Sequence, residues 1–116
     1  MKFSFQKNER ISCQKEISFL FKKGKMTNCN GAKLFYSENA TNKNRVVFTL
    51  RKNYGNAVER NKSKRFSREA YRLIKNDLKK GWDLSIFVYP GNDSFDIRTK
   101  QLNSLFLKAD LLVKKS

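Results

Sequence analysis

The sequence predicts a single α+β domain in which helices pack on a sheet, and three observations lead to this prediction. Helical and strand patterns follow the order of one helix, two or three strands, a helix, a strand and a helix. The chain has 116 residues, which is a common size for one domain. Hydrophobic residues account for 39% of it, including 10 Phe, 4 Tyr and 1 Trp, so the chain can build a core.

The first helix is predicted over about residues 13–23. Ile17, Leu20 and Phe21 recur on one of its faces, and a glycine directly after it can end it. Residues 1–11 are polar and basic, and we expect this segment to be flexible at its start.

Three or four strands are predicted from short stretches of β-forming residues. Two of them follow the first helix, over residues 32–38 and 45–51, and a short edge strand over residues 25–29 is the open one. The strand over residues 45–51 is the clearest, because residues 46–49 (VVFT) all favour extended backbone. The last strand is predicted over residues 83–89, where a Pro-Gly pair ends it.

The second and third helices are predicted over about residues 57–79 and 95–113. Asn56 and Glu59 have the spacing of a capping box at the start of the second helix, and Ser94 can cap the third. The buried stripe of the third helix is expected to contain Ile97, Leu102, Leu105, Phe106 and Leu112.

The charge of the chain indicates a polyanionic partner. Its 26 basic and 10 acidic residues give a net charge of +16, which destabilises the compact state by self-repulsion. Nucleic acid is the first candidate and an anionic membrane surface the second. No signal-peptide pattern and no apolar stretch near the ~20 residues of a membrane span are present, so we expect a cytoplasmic location and no membrane-spanning segment.

The sequence offers few groups for chemistry of its own. It has no histidine, and Cys13 and Cys29 are 16 residues apart without a CxxC motif, which argues against a zinc site and favours two reduced thiols. Its carboxylates are scattered, and neither thiol has a base near it in sequence. We therefore expect no catalytic residues and no protein metal site.

The second helix is predicted to be buried on one side and cationic on the other. On a helical wheel, the apolar side holds Val58, Phe66, Ala70, Leu73 and Ile74. The opposite side holds Arg60, Asn61, Lys64, Arg65, Arg68, Arg72 and Lys75. A solvated helix usually mixes charges of both signs, whereas this side has no acidic residue. The pattern therefore favours a surface that binds phosphates through release of counterions.

This region carries a family resemblance. After Arg45-Val46, the runs RKNYGNAV at residues 51–58 and RNKSKRFSRE at residues 60–69 closely resemble the signature of the protein subunit of bacterial ribonuclease P. Three positions depart from the family pattern. Lys62 stands where arginine is usual, Asn53 where a second lysine is common, and Ile17 where an aromatic residue is common.

The resemblance implies a specific fold and function. The fold would be an αβββαβα sandwich of helices on a four-stranded sheet, like domain 2 of ribosomal protein S5. Its β-α-β crossover would be left-handed, although general rules favour a right-handed one. The protein would bind the catalytic RNA and the 5′ leader of precursor tRNA. The RNA would hydrolyse the leader, using Mg²⁺ held by RNA and substrate, and no DNA partner is expected.

Two sets of site residues follow from the resemblance. The set for the catalytic RNA is Lys52, Asn53, Gly55, Asn56, Arg60, Asn61, Lys62, Lys64, Arg65 and Arg68. The set for a leader cleft between the first helix and the sheet is Ile17, Phe21, Tyr36 and Phe48, with Phe19 near them. An unpaired strand needs aromatic faces and cations, but each of these apolar residues could instead belong to the core.

Two other functions remain open at this point. A small ribosomal or RNA-chaperone protein could use the same cationic helix. A DNA-binding protein is the third reading, although the sequence shows no helix-turn-helix spacing.

Overall fold

The computed structural model describes residues 10–91 and 93–113, and it has the predicted order of elements. The elements are α1 (Gln14–Lys23), β1 (Lys25–Cys29), β2 (Ala32–Glu38), β3 (Arg45–Leu50), α2 (Ala57–Ile74), β4 (Trp82–Val88) and α3 (Phe95–Lys108). In the part of the chain that is described, no helix has the length and apolar character needed to cross a membrane.

The four strands form one mixed sheet in the order β1-β2-β4-β3. β1 pairs with β2 and β2 with β4 in antiparallel fashion, whereas β3 and β4 are parallel. At the free edge of β3, Arg10 forms a parallel bridge with Val46, and the Ile11 N–H donates to the Val46 carbonyl at 3.1 Å. The end of the segment predicted to be flexible is therefore ordered, while residues 1–9 lie outside the described residues.

The sheet is covered on both faces. Leu84, Ile86 and Val88 of β4 point to the face that carries α2 and α3, and they belong to a continuous core of buried residues with Tyr71 and Phe106 of those helices. On the opposite face α1 covers β2 and β4, with Leu20 only 1% exposed. Because both faces are covered, every position of the central strands except Glu38, at the end of β2, is buried or partly buried.

The β3-α2-β4 crossover is left-handed, which confirms the expectation from the resemblance. Phe48 of β3 contacts Tyr71, so α2 lies over the face that Phe48 and Val88 share. The Val88 carbonyl accepts from the Arg51 N–H at 2.9 Å, so it points toward β3. On an ascending strand of L-residues, a side chain that faces the viewer has its own carbonyl directed to the right. β3 therefore lies to the right of β4, and the chain crosses from right to left in front of the sheet, in contrast to the common right-handed form.

The second and third helices are shorter than the sequence predicted. α2 ends at Ile74 and continues only as a 3₁₀ turn, and α3 ends at Lys108. Beyond these ends, Leu78 and Leu112 form an antiparallel bridge. The Lys79 N–H donates to Leu111 and the Val113 N–H to Asp77, each at 2.7 Å. Pairing of the two extended segments buries Leu78 and replaces the last helical turns, so Leu112 lies outside the stripe of α3.

Candidate nucleic-acid interface

The loop before α2 is fixed by its own hydrogen bonds. Asn56 Oδ1 accepts from the Glu59 N–H at 2.9 Å, and Glu59 Oε1 accepts from the Asn56 N–H at 3.3 Å, which confirms the capping box. Gly55 has φ +42°, and a Cβ there would lie 3.0 Å from the Glu59 side chain. Gly55 is therefore required by the backbone, and the Asn56 side chain is occupied by the cap.

Arg60 closes the same loop from inside the helix. Its Nη1 donates to the carbonyls of Arg51 at 3.2 Å and Tyr54 at 3.1 Å. Lys52 and Asn53 remain exposed at the tip of this loop. Arg60 thus shapes the loop, while the exposed cation and amide at the tip are free to meet an external partner.

Tyr54 anchors the loop to the start of α3. It is 6% exposed, and its hydroxyl donates to Asp93. Burial, followed by the hydrogen bond to Asp93, raises the pKa of Tyr54 above its ordinary value.

The raised pKa of Tyr54 predicts a loss of stability in alkali. The unfolded tyrosine ionises near pH 10. Since the folded pKa is higher, the stabilisation from Tyr54 is complete below about pH 10 and is lost as the pH rises through the folded value. We expect the difference in free energy of unfolding between wild type and Tyr54→Phe to shrink above that pH in urea titrations. A constant difference from pH 8 to 11 would contradict this.

A buried arginine sets the rotation of α2 and corrects the predicted wheel. Arg98 of α3 is 0% exposed, and its guanidinium donates to the Ser63 carbonyl at 3.0 Å and to the Ser67 hydroxyl. Its Nη2 lies 2.5 Å from an oxygen of Asp93. The buried side of α2 accordingly holds Ser63, Ser67, Ala70, Tyr71 and Ile74.

Two residues assigned to the apolar side were wrongly placed. Val58 is 75% and Leu73 67% exposed, because the two serines that bind Arg98 occupy the centre of the buried side. The rotation of α2 about its axis places Lys64 and Arg68 beside the edge of the sheet. There they line a groove of about 290 Å³ with Arg10, Ile11, Val46, Val47 and Phe48.

The remaining predicted contacts of α2 lie on its exposed surface. Asn61 and Lys62 are exposed, and the Lys62 ammonium lies 5.9 Å from the centre of the Phe66 ring. Arg65 has a distant ion pair with Glu69 at 4.0 Å, which contributes little at the surface. Among the described residues, no carboxylate forms an ion pair with Lys64 or Arg68.

The four residues predicted to form a leader cleft lie on two faces of the sheet. Ile17 and Phe21 belong to α1 and lie at the face of the sheet that α1 covers. Tyr36 and Phe48 point to the other face, where Tyr36 packs near Trp82 at 5.8 Å and Phe48 near Tyr71 at 5.9 Å between ring centres. The structure does not bring the four together, because positions 36 and 48 have the same parity in their strands as the core positions 34 and 46.

A different set of rings lies on the α1 side, and we call it the aromatic row. It consists of Phe21, Phe35, Phe87 and Tyr89. Ring centres are 4.6 Å apart for Phe21–Phe35, 6.3 Å for Phe21–Phe87 and 5.2 Å for Phe87–Tyr89. The cations of Lys33 and Arg51 lie 5.4 and 5.7 Å from the centre of the Tyr89 ring. Sequence reasoning missed Phe35, Phe87 and Tyr89, although their alternation with core positions of β2 and β4 was a usable signal.

Arg45 ties α1 to the sheet on the same face as this row. Its guanidinium lies 2.5 Å from Glu16 of α1 and 2.7 Å from Asp83 of β4. Hydrogen bonds to Asp83 and then to Glu16 raise the pKa of Arg45 above its ordinary value. The Glu16 carboxylate is thereby turned toward the sheet, so it leaves the cations on the outside of α1 without an acidic neighbour on that helix.

Other chemistry-bearing groups are dispersed in the described part of the chain. No three His, Cys, Asp or Glu side chains come together there as a metal site would require. Cys13 and Cys29 are both free thiols. Burial raises the pKa of Cys29, whose sulfur lies 3.8 Å from the Gln101 carbonyl.

Comparison with known proteins gives a consistent family match. The family model described as Ribonuclease P matches residues 5–110. A ribonuclease P protein component of Finegoldia magna is 37% identical over 102 residues, which cover 87% of each chain. One from Clostridium botulinum is 33% identical over 111 residues, covering 95% of this chain and 96% of the relative.

Solved structures share the fold. The ribonuclease P protein of Staphylococcus aureus superposes with a TM-score of 0.82 at 21% identity, covering 90% of this chain and 97% of that one. The protein from Thermotoga maritima gives a TM-score of 0.76 at 24% identity, covering 86% and 96%. At these identities the likeness concerns the fold alone.

Proposed function

Because the chain belongs to the ribonuclease P protein family, we propose that it binds the catalytic RNA of that endoribonuclease and the 5′ leader of precursor tRNA. In this proposal the RNA performs the hydrolysis and the protein holds the substrate. The observation that carries the proposal is the acid-free cationic flank of α2, formed by Lys64 and Arg68 beside the groove at the edge of β3.

The catalytic RNA would lie along α2 and the loop before it. Lys64 and Arg68 would meet phosphates directly, because no described carboxylate competes for them and each contact releases counterions. The exposed Lys52 and Asn53 would extend this surface at the helix N-terminus, where Gly55 allows close approach.

The other predicted contacts divide into two roles. Asn61, Lys62 and Arg65 are exposed and would add polar contacts along the helix. Arg60 and Asn56 are used within the protein, so they would mainly shape the loop that the RNA meets.

The leader would lie on the aromatic row beside α1. Unpaired bases stack on aromatic rings with about 1–3 kcal/mol per base, and this row offers rings next to the cations of Lys33 and Arg51. Phe21 keeps its predicted role and Ile17 lies next to it on α1. Tyr36 and Phe48, on the opposite face, would serve the core instead.

Magnesium would be held by RNA and substrate. The carboxylates of Glu16, Asp83 and Asp93 are engaged by arginines, so this donor set does not fit a hydrated Mg²⁺. When bound to the RNA, the ion would supply the charge stabilisation that phosphoryl chemistry needs. The proposed partners are the catalytic RNA and precursor tRNA, in the cytoplasm, rather than DNA or a membrane.

A reconstitution assay tests the proposal. We expect the chain to stimulate leader removal by a bacterial ribonuclease P RNA at low Mg²⁺, where phosphate repulsion is least screened by metal. Rates would be measured with and without protein across Mg²⁺ and salt titrations. RNA binding without stimulation at any condition would contradict the proposal and favour an RNA chaperone.

A further inference from the structure

The outer face of α1 carries an exposed aromatic ring among cations. We define this face by Lys15, Ser18, Phe19, Lys22 and Lys23. Phe19 is 55% exposed, and these residues with Gln14 surround one shallow depression. An exposed ring beside several ammonium groups combines the two elements that bind unpaired nucleic acid, a stacking surface and phosphate-binding charge.

This face is separate from the aromatic row. Phe19 and Phe21 are two residues apart, which places them about 200° apart around the helix. Phe21 contacts Phe35 and Phe87, so Phe19 must point away from those rings. The sequence predicts that Phe19 lies near the leader cleft, whereas in the structure it is on the outside of α1.

The charge on this face is uncompensated within α1. Glu16 is the one acidic residue of the helix, and its carboxylate binds Arg45 on the side of the sheet. Lys15, Lys22 and Lys23 are all exposed. A polyanion would therefore meet three cations and no carboxylate of this helix.

We propose that the outer face of α1 binds the upstream nucleotides of long precursor leaders, an inference that rests on the proposed function. A leader on the aromatic row already lies against the Phe21 flank of α1. Passing over the helix to Phe19 spans half its circumference, about 16–19 Å. At the duplex spacing of about 3.4 Å per nucleotide, this path takes at most roughly five nucleotides, and a more extended strand needs fewer.

The position of α1 favours the leader over the catalytic RNA as occupant. α1 and α2 lie on opposite faces of the sheet, since α2 contacts the face of Phe48 and α1 the face of Phe35. RNA bound along α2 therefore lies against the opposite face of the sheet from Phe19. The precursor leader, which is proposed to bind beside α1, is closer to Phe19 than the catalytic RNA is.

Binding of two precursor tRNAs to the reconstituted particle tests this inference. The leaders would have about four and about twelve nucleotides. We expect Phe19→Ala to weaken binding of the long-leader precursor about five- to tenfold while leaving the short one within about twofold. Phe19→Trp should retain long-leader binding, because its ring still stacks. Phe21→Ala, in the aromatic row, should weaken both.

The outcomes separate the two proposals. If wild-type particles prefer the long leader and Phe19→Ala preserves that preference, the outer-face inference is wrong and the proposed function stands. If Phe19→Ala weakens binding of both precursors equally, or weakens binding of the catalytic RNA itself, the inference is also wrong. Phe19 would then contact a part of the RNA other than the upstream leader. If the protein contributes nothing to leader binding, both proposals fail.

Discussion

Replacing Arg98 with methionine is expected to lower the free energy of unfolding by about 3–5 kcal/mol, the range found when a buried ion pair loses one partner. Arg98 is 0% exposed and holds Ser63, Ser67 and Asp93 together. Without it, the Asp93 charge and the Ser63 carbonyl lose buried donors. The free energy of unfolding of a folded domain is about 5–15 kcal/mol in total, so the variant should be close to unfolding at 37 °C.

Urea denaturation followed by circular dichroism measures this effect, and a double variant controls for the charge. Arg98→Met combined with Asp93→Asn removes both ionised groups. It should be more stable than Arg98→Met alone, because no unpaired carboxylate remains at the site. A loss below about 1 kcal/mol for Arg98→Met would mean that the guanidinium is not a structural centre of the fold.

The order of elements could be predicted because it depends on local patterns. β-branched runs, the Asn56–Glu59 capping box and the Ser94 cap lie where the sequence places them. The ends of α2 and α3 could not be predicted, since the bridge between Leu78 and Leu112 joins segments far apart in the chain. Tertiary pairing there overrides a helical pattern that continues in the sequence.

The sequence predicts the rotation of α2 wrongly, because a buried polar cluster around Arg98 sets that rotation. A hydrophobic wheel assigns serine to the surface and places Val58 and Leu73 inside. In the structure a single arginine from α3 makes Ser63 and Ser67 the buried centre. Nothing local to α2 reveals this partner, so the error could only be corrected from the contacts of α3.

The sequence predicts where the cations of α2 lie, but it does not predict which rings come together beside α1. Cations of α2 were identified because charge runs are visible in sequence. The aromatic row was missed because a phenylalanine in a strand usually belongs to a core, and this sheet has helices on both faces. Only alternation along β2 and β4 separates Phe35 and Phe87 from Leu34 and Ile86.

Replacing both Lys64 and Arg68 with alanine is expected to weaken binding of the catalytic RNA about a hundredfold. Two charge-assisted contacts at about 1.5 kcal/mol each account for this loss. Because each contact displaces counterions, the slope of log affinity against log salt should also fall by about 1.5 to 2. Neither side chain has an ion pair in the described residues, so folding should be little affected.

A matched control removes the same charge elsewhere. Lys80 and Lys100 are exposed and lie outside α2, and their replacement by alanine lowers the net charge equally. The general attraction of a cationic protein to RNA should fall alike in both double variants. Any difference between them therefore reports contacts at the α2 flank.

The central claim is that one flank of α2 binds the RNA backbone, and the salt dependence of binding tests it most directly. Affinity of the wild type and both double variants for the ribonuclease P RNA would be measured from low to high salt. We predict a shallower slope and about hundredfold weaker binding for the Lys64 and Arg68 variant, and a much smaller change in both quantities for the Lys80 and Lys100 variant. Equal slopes and affinities for the two double variants would contradict the claim.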